Sequence, residues 1–217
     1  MSDDGVVPSL EPLSPSDLGV TATEPPGRRL ADQSVLDEAT RPQAPVPGPG
    51  RYTAQDRGTA QHLVDVHDHL RAELDEVRSV TQLVLSSAMS PAAARSHLQV
   101  LTMRQQNWSL GAYCQSYCRL VTGHHSLEDA AMLPHLRRAQ PDLSPVIDRL
   151  EQEHHVIHGV LEALDRALVR FVDDPSDGSG LQEAVDLLTD TLLSHLAYEE
   201  QQIVEPLARH GFYPGQL

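Results

Sequence analysis

Four separate stretches of this chain place a histidine where a helical apolar pattern expects a core residue: His67, His124 with Glu128, His154 with His158, and His195 with Glu199. Two of them repeat one phrase, H-x-x-x-E-[DE], as HHSLED from His124 and HLAYEE from His195. A buried imidazole costs solvation free energy unless it is paired, so a single such histidine is ordinarily a hydrogen-bonded core residue. Five histidines and two carboxylates at one level are different. Without a cation they would form a buried polar network with two acids and few donors, which is costly. Imidazole suits zinc, copper, iron and nickel, and carboxylate shifts the preference towards harder ions. A closed structural zinc site needs only four ligands and usually includes cysteine. The set here fits two ions instead, with Glu128 and Glu199 each able to bridge them from its own helix. Neutral imidazoles keep the site moderately charged. The ions could then cycle between divalent and trivalent states and offer an open position to O2, NO, peroxide or a small anion.

Helical phase selects among the twelve histidines. His67 keeps step with Leu63, Leu70 and Leu74, whereas His69 is rotated by about 200° and faces away. His124 shares its stripe with Val121 and Glu128, and His125 lies about 100° off it. His154 is in phase, His158 follows one turn later along the same face, and His155 is off that face. His195 and Glu199 are one turn apart and in phase, with Glu200 an alternative carboxylate. Glu151, on the flank of its stripe, is a candidate partner behind His154. His62, His97, His135 and His210 belong to no such set and read as surface or cap residues.

The elements that must position these residues are four helices. Helix A runs from about Thr53 to Ala88, and helix B from about Asn107 to Gln140, with Pro134 marking a kink or an early end. Helix C starts near Ser144, an N-cap followed by Pro145, and helix D runs from about Leu181 to His210, closed by Gly211 and disturbed near Pro206. Residues 91–106 read as a short helix or a connecting loop. Alternating steps of four and three trace an apolar seam along each helix, such as Ile147, Leu150, His154, Ile157 and Leu161 in helix C. The polar residues interrupt each seam at one level only. In an up-down-up-down bundle, His67, His124, His154 and His195 all fall roughly 15–23 Å from a common end. The expected fold is therefore all-α: an antiparallel four-helix bundle over residues 53–213.

Residues 1–52 hold nine of the sixteen prolines and show no apolar period, so they read as a disordered acidic, Pro-rich tail. The whole chain of 217 residues carries a net charge of −15, and its basic residues are all arginine. That balance argues against nucleic-acid or anionic-membrane partners. No apolar run reaches the roughly 18 residues of a spanning helix, and no signal peptide is visible. Cys114 and Cys118 imply no disulfide framework, and Cys114 is too far along its helix from His124 to share its metal. They read as core residues in a cytoplasmic protein.

With HDHLRAEL in helix A, HHSLEDAAMLPHL in helix B, EQEHHVIH in helix C and HLAYEEQQIVEPLARHG in helix D, the chain resembles the hemerythrin family, specifically its HHE cation-binding branch. The resemblance covers about residues 61–213. It implies a four-helix bundle around two non-haem iron ions, bridged by two carboxylates and an oxo or hydroxo group. It implies His67, His124, Glu128, His154, His158, His195 and Glu199 as ligands. Oxygen-carrying members have the last carboxylate five residues after the histidine, whereas Glu199 is four after His195 and Glu200 is five after it. The implied role is binding of O2, NO or peroxide in sensing, iron handling or a response to oxidative or nitrosative stress. The alternatives are a di-iron enzyme (a peroxidase, a catalase-like protein or an NO reductase) and a metal-stabilised interaction module. A protein partner for the tail is left open.

Overall fold

The computed structural model describes residues 18–48, 50–88, 97–176 and 178–212. Among them there are long helices and no strand. The first helix, α1, spans Ala54–Ala88. Its start is set by a reciprocal cap: Thr53 N–H donates to the Asp56 carboxylate (2.7 Å), and Asp56 N–H donates to the Thr53 hydroxyl (3.2 Å). Helix α2 spans His97–Leu127, so residues 97–106 belong to it rather than to a loop or separate helix. It passes through one π-helical turn, Glu128–Met132, into α3, Leu133–Ala139. In that turn Leu133 N–H donates five residues back to the Glu128 carbonyl. Pro134, which follows, has no N–H to continue the α ladder. Pro134 therefore marks a change of winding, not an end. Helix α4 spans Ser144–Asp173 and begins one residue earlier than a Ser144 cap would place it, with the Ser144 hydroxyl donating to Pro141 O (2.7 Å). Helix α5, Gly178–His210, runs straight through Pro206. It ends at Gly211, whose φ of +66° and N–H to Leu207 O bond (2.8 Å) are those of a left-handed cap.

Helix α1 packs against α2 and α5, and α4 packs against α5 and α2, closing a ring. Along α1 and α2, His67 meets His124 while Leu70 O accepts from Tyr117. Along α1 and α5, Tyr52 just before α1 bonds Glu205, while Gly178 lies under Leu85. A Cβ at Gly178 would stand 2.9 Å from a Leu85 methyl, so a glycine permits this close approach. The pairings are consistent with an antiparallel bundle.

Two apolar cores fill it. One joins residues such as Leu74, Leu110, Val121, Leu164, Phe171 and Leu188, and the other Leu63, Leu133, Leu136, Ile147, Ile203 and Leu207. Each fully buried aliphatic side chain contributes roughly 1.5–3 kcal/mol. The buried histidines and glutamates lie between the two cores, in a single polar slice. Cys114 is a free thiol inside the first core, and burial pushes it up to about 12. A thiol so protonated is a packing residue.

Residues 18–48 are irregular, as their composition implies, apart from a 3-10 turn at Glu38–Thr40. Irregular as they are, they touch the bundle. Leu18 and Leu36 are buried, Leu30 and Ala31 N–H both donate to Asp190 on α5 (2.8 Å each), and Ala44 N–H donates to Gln202 (2.7 Å). Residues 1–17 of the proposed tail lie outside the described residues.

Candidate metal centre

The polar slice brings together six of the seven residues selected by sequence, in two groups. His67, His124, Glu128 and Glu199 form one, and His154 and His195 join His125 in the other; within each group the ligand-type atoms all lie within 4.8 Å of one another. The two carboxylates connect the groups. Glu128 Oε1 lies 3.1 Å from His124 Nε2, and its Oε2 lies 3.6 Å from His154 Nε2. Glu199 Oε2 lies 3.5 Å from His67 Nε2 and 3.6 Å from His195 Nε2.

His158 is not brought in. Its side chain is 62% exposed and faces Glu162 at 3.5 Å. The inward line of α4 runs Leu150, His154, Ile157, Leu161, so the turn after His154 belongs to Ile157, and the position one later rotates outward. His125 takes the place instead. It is buried, with its ring stacked on His154 at 4.1 Å. Its 100° offset from His124 did not exclude it, because α2 has two inward neighbours. His124 turns to His67 on α1 and His125 to His154 on α4.

Behind the ring of ligand-type atoms stands a ring of carboxylates. His67 Nδ1 meets Glu200 Oε1 (2.9 Å), His154 Nδ1 meets Asp129 Oδ1 (2.7 Å), and His195 Nδ1 meets Glu153 Oε2 (3.1 Å). These contacts fix the rings and leave the Nε2 atoms aimed inward, as metal-binding histidines require. Glu200 thus lies behind His67, and Glu199 lies at the centre. Glu151 is not the partner of His154; it pairs with Arg137 at 3.0 Å. Asp129 and Glu153 are absent from the sequence reading and Glu200 enters it only as an alternative ligand, although for Asp129 and Glu200 the doubled acids of HHSLED and HLAYEE were the signal. In each pair one acid faces the centre and the other stands behind a histidine.

His67 Nε2 and His124 Nε2 meet at 3.1 Å, but seven other inward atoms have no hydrogen-bond partner. His125 Nε2, His154 Nε2, His195 Nε2 and both oxygens of Glu128 and of Glu199 are buried without a hydrogen bond. Each unsatisfied buried polar group costs roughly 1–3 kcal/mol. Seven such atoms therefore cost on the order of the whole net stability of a domain, about 5–15 kcal/mol. Electrostatics follow suit. Burial, and then the charge of Glu199, push Glu128 well above the usual carboxylate range; burial, and then Glu200, push Glu199 up to about 8. Burial pulls His124, His125 and His195 well below the ordinary imidazole value, and the neighbouring imidazoles add to it. Glu200 is also opposed by burial, yet hydrogen bonds from His67, the Thr23 N–H and Arg71 hold it down at about 2. Neutral imidazoles facing two unsatisfied carboxylates are the donor set of a cation site, and the residues present fit two metal ions.

A cavity of about 480 Å³ between α1, α2 and the end of α5, walled by Leu63, Val66, Leu127, Met132 and Leu207, reaches His124 and Glu128. The two-histidine group therefore adjoins open apolar space.

The family model described as the hemerythrin HHE cation binding domain matches residues 58–207. No curated protein and no solved structure gives a significant match.

Proposed function

Because the chain belongs to the hemerythrin HHE cation-binding family, we propose that it is a non-haem di-iron protein whose up-down-up-down bundle binds O2 or a related small ligand such as NO or peroxide. We assign one ion to His67 and His124 and the other to His125, His154 and His195, with Glu128 and Glu199 shared between them. The observation that carries this reading is the set of seven inward, buried, partnerless ligand-type atoms. When bound, iron supplies a redox change between divalent and trivalent states and a position for an exogenous ligand. The protein supplies the rest. Asp129, Glu153 and Glu200 orient their histidines, and the two apolar cores keep bulk water from the slice. The half with two imidazoles rather than three has fewer protein donors, and the cavity reaches that same half through His124 and Glu128. This supports ligand binding over a closed, purely structural site.

We further propose a role in sensing, iron handling or oxidative or nitrosative stress, in the cytoplasm; Cys114 and Cys118, both free thiols, fit a reducing compartment. No helix among the described residues is long and apolar enough to cross a membrane. The surplus of 31 acidic over 16 basic residues favours a small ligand over a polyanion.

Metal analysis with absorption spectra of the reduced and then aerated protein tests the reading. Two irons per chain and charge-transfer bands that respond to azide or peroxide are expected. One zinc, or no metal after iron reconstitution, would overturn it.

A further inference from the structure

The segment before α1 lies outside the family match, which begins at residue 58, yet it reaches the carboxylates behind the histidines. Arg41 forms a fork on Glu153, Nε to Oε1 at 2.8 Å and Nη2 to Oε2 at 2.9 Å. Its remaining nitrogen, Nη1, donates to the Ser194 hydroxyl (2.9 Å) and carbonyl (3.3 Å), and its guanidinium lies 4.6 Å from the centre of the Tyr198 ring. The pair is enclosed, with side chains 10% and 2% exposed. Glu153 in turn holds His195 Nδ1. On the other half the Thr23 N–H donates to Glu200 Oε2 at 2.7 Å, and Glu200 holds His67. There the strap is not alone, because Arg71 from α1 also bonds Glu200 at 2.6 Å.

We propose that residues 23–44 are a working part of the metal centre, in which Arg41 is a positioning residue that fixes His195 through Glu153 and so sets how firmly the three-histidine half holds its ion. The inference rests on the dinuclear reading above. Its physical basis is that a bidentate guanidinium fixes both the charge and the plane of a carboxylate. Without Arg41, the enclosed Glu153 loses the fork that sets its plane and can turn away from His195. That turn frees the imidazole that must aim Nε2 inward. The His67 half retains Arg71, so the effect is asymmetric.

The test uses the full chain loaded with iron(II) under anaerobic conditions, as wild type, Arg41→Gln, Arg41→Lys and Tyr198→Phe. The Tyr198→Phe variant loses the strap contact from Tyr198 OH to Pro42 O (2.8 Å) but keeps the ring beside Arg41. Release of iron to an excess of chelator is followed in time, and the thermal midpoint of each metal-free protein is measured in parallel. Arg41→Gln is expected to release one of two irons about ten-fold faster or more, in line with the loss of a carboxylate that orients a ligand, while the second iron leaves at the wild-type rate. Arg41→Lys, which keeps the charge but not the fork, falls between, so it decides the matter should Arg41→Gln fold poorly. Tyr198→Phe releases both irons as wild type does, even where its metal-free midpoint drops. Wild-type release from both arginine variants, equal acceleration of both irons, or equal acceleration by Tyr198→Phe would overturn the proposal and leave the dinuclear site standing. A wild type that takes up fewer than two irons would overturn the dinuclear reading itself.

Discussion

His125 lies face to face with His154, their ring centroids 4.1 Å apart and their planes 7° from parallel. The stack places two inward Nε2 atoms, from α2 and α4, beside that of His195, and all three lack partners. His125→Ala is therefore expected to lose one of two irons, with a fall in affinity of at least 10–100-fold for the three-histidine half. Metal titration of the variant measures this. Two irons bound with wild-type affinity would remove His125 from the site.

His158 provides the opposite case. Its exposed side chain faces Glu162 at 3.5 Å, off the site-bearing face of α4. His158→Ala is expected to bind two irons and to shift stability by no more than about 0.5 kcal/mol, as surface substitutions do. Loss of an iron in that variant would restore the ligand set implied by family resemblance.

Glu199 and Glu200 are adjacent in sequence but opposed in role. Glu199→Gln removes a carboxylate shared by both halves, so iron binding should fall to one ion or none. The metal-free variant should melt higher than metal-free wild type, because a buried unpaired acid is gone. Glu200→Gln leaves the centre intact and loosens His67, so two irons bind with roughly 10–100-fold weaker affinity at one position. Parallel iron stoichiometry and melting curves distinguish the two, and identical behaviour would contradict the placement.

The metal-free protein should have a stability maximum near pH 6–7, in the range where the opposing shifts of its acids and histidines balance. Glu199 has a folded value of about 8 against an ordinary 4.5, and Glu128 is shifted in the same direction. A raised folded value contributes stability that is fully present below 4.5 and is lost as pH rises through about 8. His124, His125 and His195 have folded values below 6.5, so their contribution is present above 6.5 and is lost as pH falls. Calorimetry of the chelator-stripped protein should show a midpoint decrease on the order of 5–10 °C between about pH 6.5 and 9. Iron-loaded protein should lack that alkaline limb, since cations replace the protons. A stripped protein with a flat alkaline profile would show that the two carboxylates are not enclosed together.

The four helices were legible because 3.6-residue periodicity, Pro145 and Gly211 all act locally. The level of the site was legible because polar residues broke every seam at one height. His125 and Glu153 were not, since a seam is a line, whereas the buried face of a bundle helix is an arc serving two neighbours. His158 was chosen by the same oversimplification, its place on the inward line being held by Ile157. The strap escaped because Pro-rich composition reports the lack of a regular element and not the lack of contacts. Much of its anchoring comes from backbone N–H groups at Thr23, Leu30, Ala31 and Ala44 and from Arg41, none of which has a periodic signature.

The π-helical turn at Glu128–Met132 amounts to one residue more than an α-helix would use to cover the same span. That surplus residue sets α3 out of step with α2, and in this shifted frame Leu133 and Leu136 reach the core they share with Leu63 and Ile147. The two cores are thus keyed to each other by a count rather than by a side chain. Substitutions at the exposed Ala130 and the half-buried Ala131 can be mild while the loss or gain of a single residue there is not. Such an indel would swing the apolar face of α3 by about 100°, and chains of this design should vary in length at their loops and hold it fixed through this turn.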